Sequence, residues 1–187
     1  MTALLVVSIV ALWVLVLFQG FVLLEAVRQL AQLRKGLDLD DRPVPVSMGR
    51  LAGRPLPEPT QALWPGNGAP RDGVFVFLSS DCSTCRIVAT DLRDVVARNE
   101  QLTTVVVLQA RNHDEVTDML AEAGMSRDEV VIDLEGEYGA AFGIAMRPAA
   151  VLIRDGIVSE GATVRNSRQL QQLLDTLAAP TTEEVLR

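Results

Sequence analysis

The residues most able to do chemistry in this chain are a pair of cysteines. Cys82 and Cys85 are the only cysteines among 187 residues, and they enclose Ser83 and Thr84 in a C-x-x-C motif. Two thiols at this spacing can close a small disulfide or provide half of a zinc site. A structural zinc needs four ligands, but the chain has a single histidine and no second cysteine pair. We therefore predict redox chemistry without a metal or cofactor; the alternative is an inert disulfide.

The position of the motif predicts different roles for the two thiols. An apolar run at residues 74–78 precedes the motif and apolar residues at helical spacing follow it, so it lies where a strand passes into a helix. Free N–H groups and a partial positive charge at the helix start are expected to lower the pKa of Cys82. Because the thiolate is the attacking species, Cys82 is the predicted nucleophile, and Cys85 resolves the mixed disulfide.

Two charged residues flank the motif and are predicted to tune this pKa. Asp81 directly precedes Cys82, and Arg86 directly follows Cys85. A nearby negative charge disfavours a thiolate, whereas a positive charge favours it. The two effects oppose each other, and the sequence leaves open which one dominates.

Strand and helix patterns alternate after residue 73. The predicted strands are 74–78, 103–108, 130–132, 149–153 and 157–158, with helices after the motif, from Asn112, around 138–142 and from Ser167. Parallel crossovers come first and a hairpin, turning at Asp155-Gly156, comes last. This order predicts an α/β fold of three layers, a mixed central sheet with helices on both faces, over residues 73–180.

An apolar segment at the N-terminus predicts a membrane anchor. Residues 3–24 are interrupted only by Ser8, Gln19 and Gly20, and as a helix they are long enough to cross a bilayer. A basic leader and an A-x-A-like cleavage site are absent, so we expect an uncleaved anchor rather than a signal peptide. Residues 1–37 are assigned to this transmembrane helix and its juxtamembrane continuation.

The charges around the anchor bear on its orientation. Arg28, Arg34 and Lys35 follow the apolar segment, and no Lys or Arg precedes it. By the positive-inside rule alone, the C-terminal domain would lie in the cytoplasm.

The remaining segments and the overall charge limit the other classes of function. Residues 38–72 hold seven prolines and are predicted to be a linker and lead-in, and residues 181–187 a tail. The formal net charge of −7, without a cluster of Lys and Arg, argues against a nucleic-acid partner.

Several motifs together resemble the thioredoxin superfamily. They are Phe75-Val76-Phe77-Leu78, Cys82-Ser83-Thr84-Cys85-Arg86, and Met146-Arg147-Pro148 before a strand. The stretch at residues 133–144, the strand that follows Pro148 and the Asp155-Gly156 turn are similar to the membrane-anchored branch, which includes the MauD-like (methylamine-utilisation) and TlpA-like thiol–disulfide oxidoreductases.

The resemblance implies a site and a location. Pro148 would be a cis-proline facing the cysteines, and the backbone of Arg147 would pair with a bound substrate strand. The domain would be extracytoplasmic, on a single-pass membrane protein, against the charge count. Three departures limit the comparison: Asp81 replaces the usual aromatic residue, the motif interior lacks proline, and the leading strand carries no buried acid.

Two functions from different classes follow. The first is a membrane-tethered oxidoreductase that exchanges disulfides with exported protein clients bearing cysteines, in the maturation of a redox enzyme, together with a membrane redox partner or complex. The second is a non-catalytic assembly or accessory subunit of a membrane complex, for which the cysteines would be dispensable.

Overall fold

The computed structural model describes residues 12–13, 15–23, 25, 42–65 and 72–178. The chain divides into two compact units, Met1–Asp41 and Arg42–Arg187. Within the first unit, the described residues are helical and their large apolar side chains are exposed. None of the helices in the ranges given above combines the length and apolar character needed to span a bilayer. Much of the predicted anchor and the whole tail at 181–187 lie outside the described residues, so both stay predictions.

The described part of the second unit forms a six-stranded mixed sheet. Its strands are β1 Val44–Val46, β2 Gly73–Ser79, β3 Thr103–Gln109, β4 Val130–Asp133, β5 Ala149–Arg154 and β6 Ile157–Thr163. The order across the sheet is β1-β6-β5-β2-β3-β4. Strands β2, β3 and β4 pair in parallel, whereas β5 pairs antiparallel with β2 and β6, and β1 pairs antiparallel with β6. The predicted change from parallel crossovers to an antiparallel ribbon is confirmed.

Helices cover both faces of this sheet. They are α1 Glu58–Gln61, α2 Ser83–Arg98, α3 His113–Ala123, α4 Glu137–Ala141 and α5 Ser167–Ala178, with a 3₁₀ turn at Arg127–Glu129. One hydrophobic cluster joins the sheet to α2, α3 and α5, and a second cluster, beside α1 and α4, includes Leu56 and Phe142. The predicted three-layer α/β architecture is therefore confirmed.

Strand β2 shows why this sheet is buried on both sides. Val74, Val76 and Leu78 belong to the cluster under α2, whereas Phe75 and Phe77 belong to the opposite cluster. Side chains alternate between the two faces of a strand, so a continuous apolar run supplies both clusters at once. This central strand ends at the cysteine motif and positions it at the carboxyl edge of the sheet.

The proline-rich segment assigned to a linker contains regular structure in its described part. Val44–Val46 forms edge strand β1, and Leu56 is buried before α1. Trp64 stacks on Phe75, with ring centroids 5.2 Å apart. Pro45 has no N–H to donate, and such a residue is tolerated in an edge strand. Because proline is otherwise rare in strands, the sequence pattern does not indicate a strand here.

Candidate active site

Cys82 is the N-cap residue of α2. Its backbone is extended, with φ −104° and ψ 113°, and its sulfur accepts a hydrogen bond from the backbone N–H of Cys85 at 3.3 Å. A side chain at this position ordinarily satisfies one of the unpaired N–H groups at a helix start. Here a thiol does so, and Ser83 and Thr84 form the first turn between the two sulfurs.

The two thiols differ in accessibility. Cys82 is half-buried, whereas Cys85 has no exposed surface. Burial raises the pKa of Cys85, and a hydrogen bond with the Cys82 sulfur raises it further, against smaller opposing effects of the Ser79 backbone and the Arg147 charge. Cys85 is therefore a protonated thiol at neutral pH, and the accessible sulfur is that of Cys82. The predicted division into a nucleophile and a resolving thiol requires this arrangement.

The loop before β5 meets the cysteines. The Arg147–Pro148 peptide bond is cis, and Pro148 is buried. The Cys82 thiol donates a hydrogen bond to the carbonyl oxygen of Arg147, with a sulfur–oxygen distance of 3.5 Å. Residues 65 positions apart in the chain are thus brought together.

The two charged residues that flank the motif lie in different surroundings. Asp81 is exposed and accepts a hydrogen bond from the Ser79 hydroxyl. Arg86 forms an ion pair with Glu122 of α3, and its other terminal nitrogen donates to the Ser80 carbonyl at 2.9 Å. The structure thus keeps Asp81 at the edge of the site and directs the Arg86 guanidinium toward α3.

Ser80 is a positioning residue that the sequence analysis did not identify. It is buried, and all its polar groups are hydrogen-bonded: its N–H to the Gln109 carbonyl at 2.9 Å, its hydroxyl to the Glu115 carboxylate at 2.7 Å, and its carbonyl to Arg86. The Ser80 hydroxyl, followed by the Arg111 N–H, lowers the pKa of Glu115. These bonds hold the turn that carries Asp81 and Cys82.

A cavity of about 250 Å³ opens beside this turn. Its lining residues are Ser79, Ser80, Asp81, Gln109, Ala110, Arg111, Leu134 and Arg147. The cavity therefore lies at the carboxyl ends of β2 and β3, and one of its lining residues, Asp81, directly precedes Cys82. A larger groove, of about 760 Å³, runs along the C-terminal half of α2 and includes neither cysteine in its lining.

In the ranges that the structure covers, no three Cys, His, Asp or Glu side chains are grouped so that they could hold a metal ion. The residues brought together are Cys82, Cys85, Arg147 and Pro148, with Asp81 at the cavity edge. This arrangement can expose one sulfur to a partner disulfide and keep a second sulfur in reserve behind it.

Comparison with known proteins gives structural relatives. No family model and no curated protein matches the chain. A secreted Mycobacterium tuberculosis disulfide oxidoreductase homologous to E. coli DsbE matches with a TM-score of 0.50 and 20% identity, over 57% of this chain and 82% of that one. The DsbF structure from M. tuberculosis matches with a TM-score of 0.50 and 20% identity, over 58% of this chain and 82% of that one.

A thioredoxin-family thiol:disulfide interchange protein from Chlorobium tepidum matches more of the chain. Its TM-score is 0.50 and its identity 19%, over 74% of this chain and 97% of that one. Likeness at these identities concerns the fold. The chain therefore contains a domain of the α/β thioredoxin-like fold with a mixed central sheet.

Proposed function

We propose that this protein is a thiol–disulfide oxidoreductase that acts on protein clients bearing cysteines. The observation that carries the proposal is the half-exposed Cys82 sulfur, which caps α2, contacts the Arg147 carbonyl and lies in front of the buried Cys85 thiol. An accessible attacking sulfur with a buried resolving thiol is the arrangement that thiol–disulfide exchange requires. The structural relatives described as disulfide oxidoreductase and thiol:disulfide interchange protein support the same class.

The exchange balances as two linked displacements. After Cys82 loses its proton to solvent, its sulfur attacks one sulfur of the client disulfide; a Cys82–client bond forms, the client S–S bond breaks, and the released client thiolate takes up a proton. Cys85 then loses its proton and attacks the Cys82 sulfur, which releases the second client thiol. Two electrons and two protons pass to the client, and the reverse sequence oxidises a client dithiol.

Loss of Cys85 should trap the intermediate. In the Cys85→Ala variant, Cys82 can still attack a protein disulfide, but no second thiol can resolve the product. With insulin as the probe, we expect a stable covalent adduct on a non-reducing gel, released by dithiothreitol and scarce with the unchanged chain. The Cys82→Ala/Cys85→Ala double variant is the matched control and should give no adduct. An adduct of equal yield in the double variant, or none in Cys85→Ala, contradicts the proposal.

We also propose that residues 1–37 tether the domain to a membrane, with the domain on the extracytoplasmic side. The apolar composition of residues 3–24 supports an anchor. The described part of this segment is helical and its large apolar side chains are exposed, which supports the same role. The resemblance to the membrane-anchored branch, rather than the charge count, supports the orientation. The client would then be an exported protein, such as a redox enzyme under MauD-like maturation, and a membrane redox partner or complex would exchange electrons with the cysteines.

The native cysteines can test this location. In bacterial spheroplasts that express the full chain and have been reduced with dithiothreitol and washed, a membrane-impermeant maleimide should label Cys82 before lysis. The chain should stay in the membrane pellet after a carbonate wash. The double Cys→Ala variant controls for background labelling. Labelling only after lysis would place the domain in the cytoplasm, and release by carbonate would contradict the anchor.

A further inference from the structure

The charged side chains among the residues that line the cavity near Cys82 differ in whether they have an ion-pair partner. Arg111 and Arg147 contribute positive charges and Asp81 a negative one. The Arg111 guanidinium forms an ion pair with Glu115 at 2.7 Å. Asp81 is exposed, so water screens its charge strongly. Arg147 is the remaining charged residue of the cavity lining.

The charge of Arg147 lacks a countercharge within the part of the chain that the structure describes. The ion pairs there involve Arg86, Arg93 and Arg111, and Arg147 is in none of them. Its Nε is buried without a hydrogen-bond partner. Leaving a partly desolvated guanidinium without a countercharge is unfavourable, whereas a carboxylate bound in the cavity would supply that countercharge through the accessible part of the side chain.

Gly139 of α4 makes room for this guanidinium. An ideal Cβ at Gly139 would lie 2.2 Å from Nη2 of Arg147 and 3.3 Å from its Cζ, well inside normal contact. Gly139 is buried, and its φ is not positive, so the helix itself does not require a glycine there. The close approach of Arg147 is the contact that an alanine would disturb.

We infer that Arg147 selects clients that carry an aspartate or glutamate next to the reactive cysteine. The inference rests on the proposed exchange and deepens it. The carbonyl of Arg147 contacts the Cys82 sulfur, and Arg147 lines the same cavity as Asp81, the residue before Cys82. A client cysteine at Cys82 therefore brings its neighbouring residue within reach of the unpaired guanidinium. An acidic side chain there pairs with it, and a lysine is repelled.

Peptide disulfides that differ only at the residue beside the cysteine test this selectivity. With the full chain in mild detergent and dithiothreitol as electron donor, kcat/KM is measured for Glu, Gln and Lys peptides. A charge-assisted hydrogen bond predicts a Glu-to-Gln preference of about tenfold. In Arg147→Met the ratio should fall to about one. In Gly139→Ala the charge is kept but displaced, and the ratio should fall as well, while the α4 helix is retained.

A control and the contrary outcomes keep the inference separate from the proposed function. Arg93→Met removes a cation from α2 that lines the larger groove, and it should leave the ratio unchanged. If all three peptides exchange equally with the unchanged chain, or if Arg147→Met retains the preference, the inference fails and the oxidoreductase stands. If no peptide exchanges, the proposed function fails first.

Discussion

Replacing Cys82 by serine should abolish disulfide exchange, with a loss of at least about a thousandfold in rate. A serine hydroxyl does not ionise near neutral pH, so the attacking thiolate disappears. Cys85 cannot take over, because it is fully buried and burial raises its pKa. The serine oxygen can still accept the hydrogen bond that the Cys85 N–H donates to the Cys82 sulfur, so α2 keeps its N-cap. The measurement is the rate of insulin reduction with dithiothreitol, relative to a reaction without protein.

Ser83→Ala provides a matched control for this loss. Ser83 is exposed in the first turn of α2 and makes no hydrogen bond through its side chain among the described residues. We expect this variant to keep most of the exchange rate, together with the far-ultraviolet circular dichroism of the unchanged chain. Exchange retained in Cys82→Ser, with both variants folded, would contradict Cys82 as the nucleophile. If the unchanged chain itself shows no exchange, the non-catalytic assembly role is the better account of the protein.

The elements around this site were predictable where a sequence pattern is typical of a single kind of secondary structure. The apolar run of β2 and the helical spacing after it locate the cysteines at a strand-to-helix junction. Asn112 caps α3 as predicted, with its side-chain oxygen accepting from the Glu115 N–H at 3.0 Å. The Glu115 carboxylate accepts hydrogen bonds from the Ser80 hydroxyl and the Arg111 N–H, contacts that the sequence pattern does not display.

Other features depend on contacts that a single sequence does not display. The return strand was predicted over two residues but extends as β6 to Thr163, because pairing with β1 and β5 outweighs the polar residues in its middle. Arg86 is one residue from Cys85, yet its partner Glu122 lies 36 residues away. Gly139 appeared only as part of a helical turn, although a glycine inside a helix costs stability and so suggests a close neighbour.

Phe75→Ala should be the most destabilising of the core substitutions considered for this domain, by about 3–5 kcal/mol in the free energy of unfolding. Phe75 is fully buried in the middle of β2. Its ring lies 5.2 Å from that of Trp64, 5.3 Å from Phe142 and 6.1 Å from Phe77, centroid to centroid. The substitution leaves a cavity among these rings and removes aromatic contacts worth about 0.5–1.5 kcal/mol each.

The location of Phe75 gives this loss a consequence beyond the core. Trp64 lies in the described part of the segment before β2, and its stacking on Phe75 is a contact between that segment and the central strand. We therefore expect Phe75→Ala to increase proteolytic cleavage within residues 42–65 before the rest of the domain is cut, because local opening needs less free energy once this contact is lost. Mass spectrometry of the first fragments identifies the cleavage sites.

Urea unfolding of the full chain in detergent, followed by far-ultraviolet circular dichroism, measures the stability change itself. Phe75→Leu keeps much of the buried volume and should lose less stability than Phe75→Ala. Ile87→Ala, at a side chain that is 59% exposed on α2, should change the free energy of unfolding by no more than about 0.5 kcal/mol. A loss below about 1 kcal/mol for Phe75→Ala would contradict the close aromatic packing. If the rings lie at these distances, removal of the Phe75 ring must either leave a cavity or break contacts, and both cost stability.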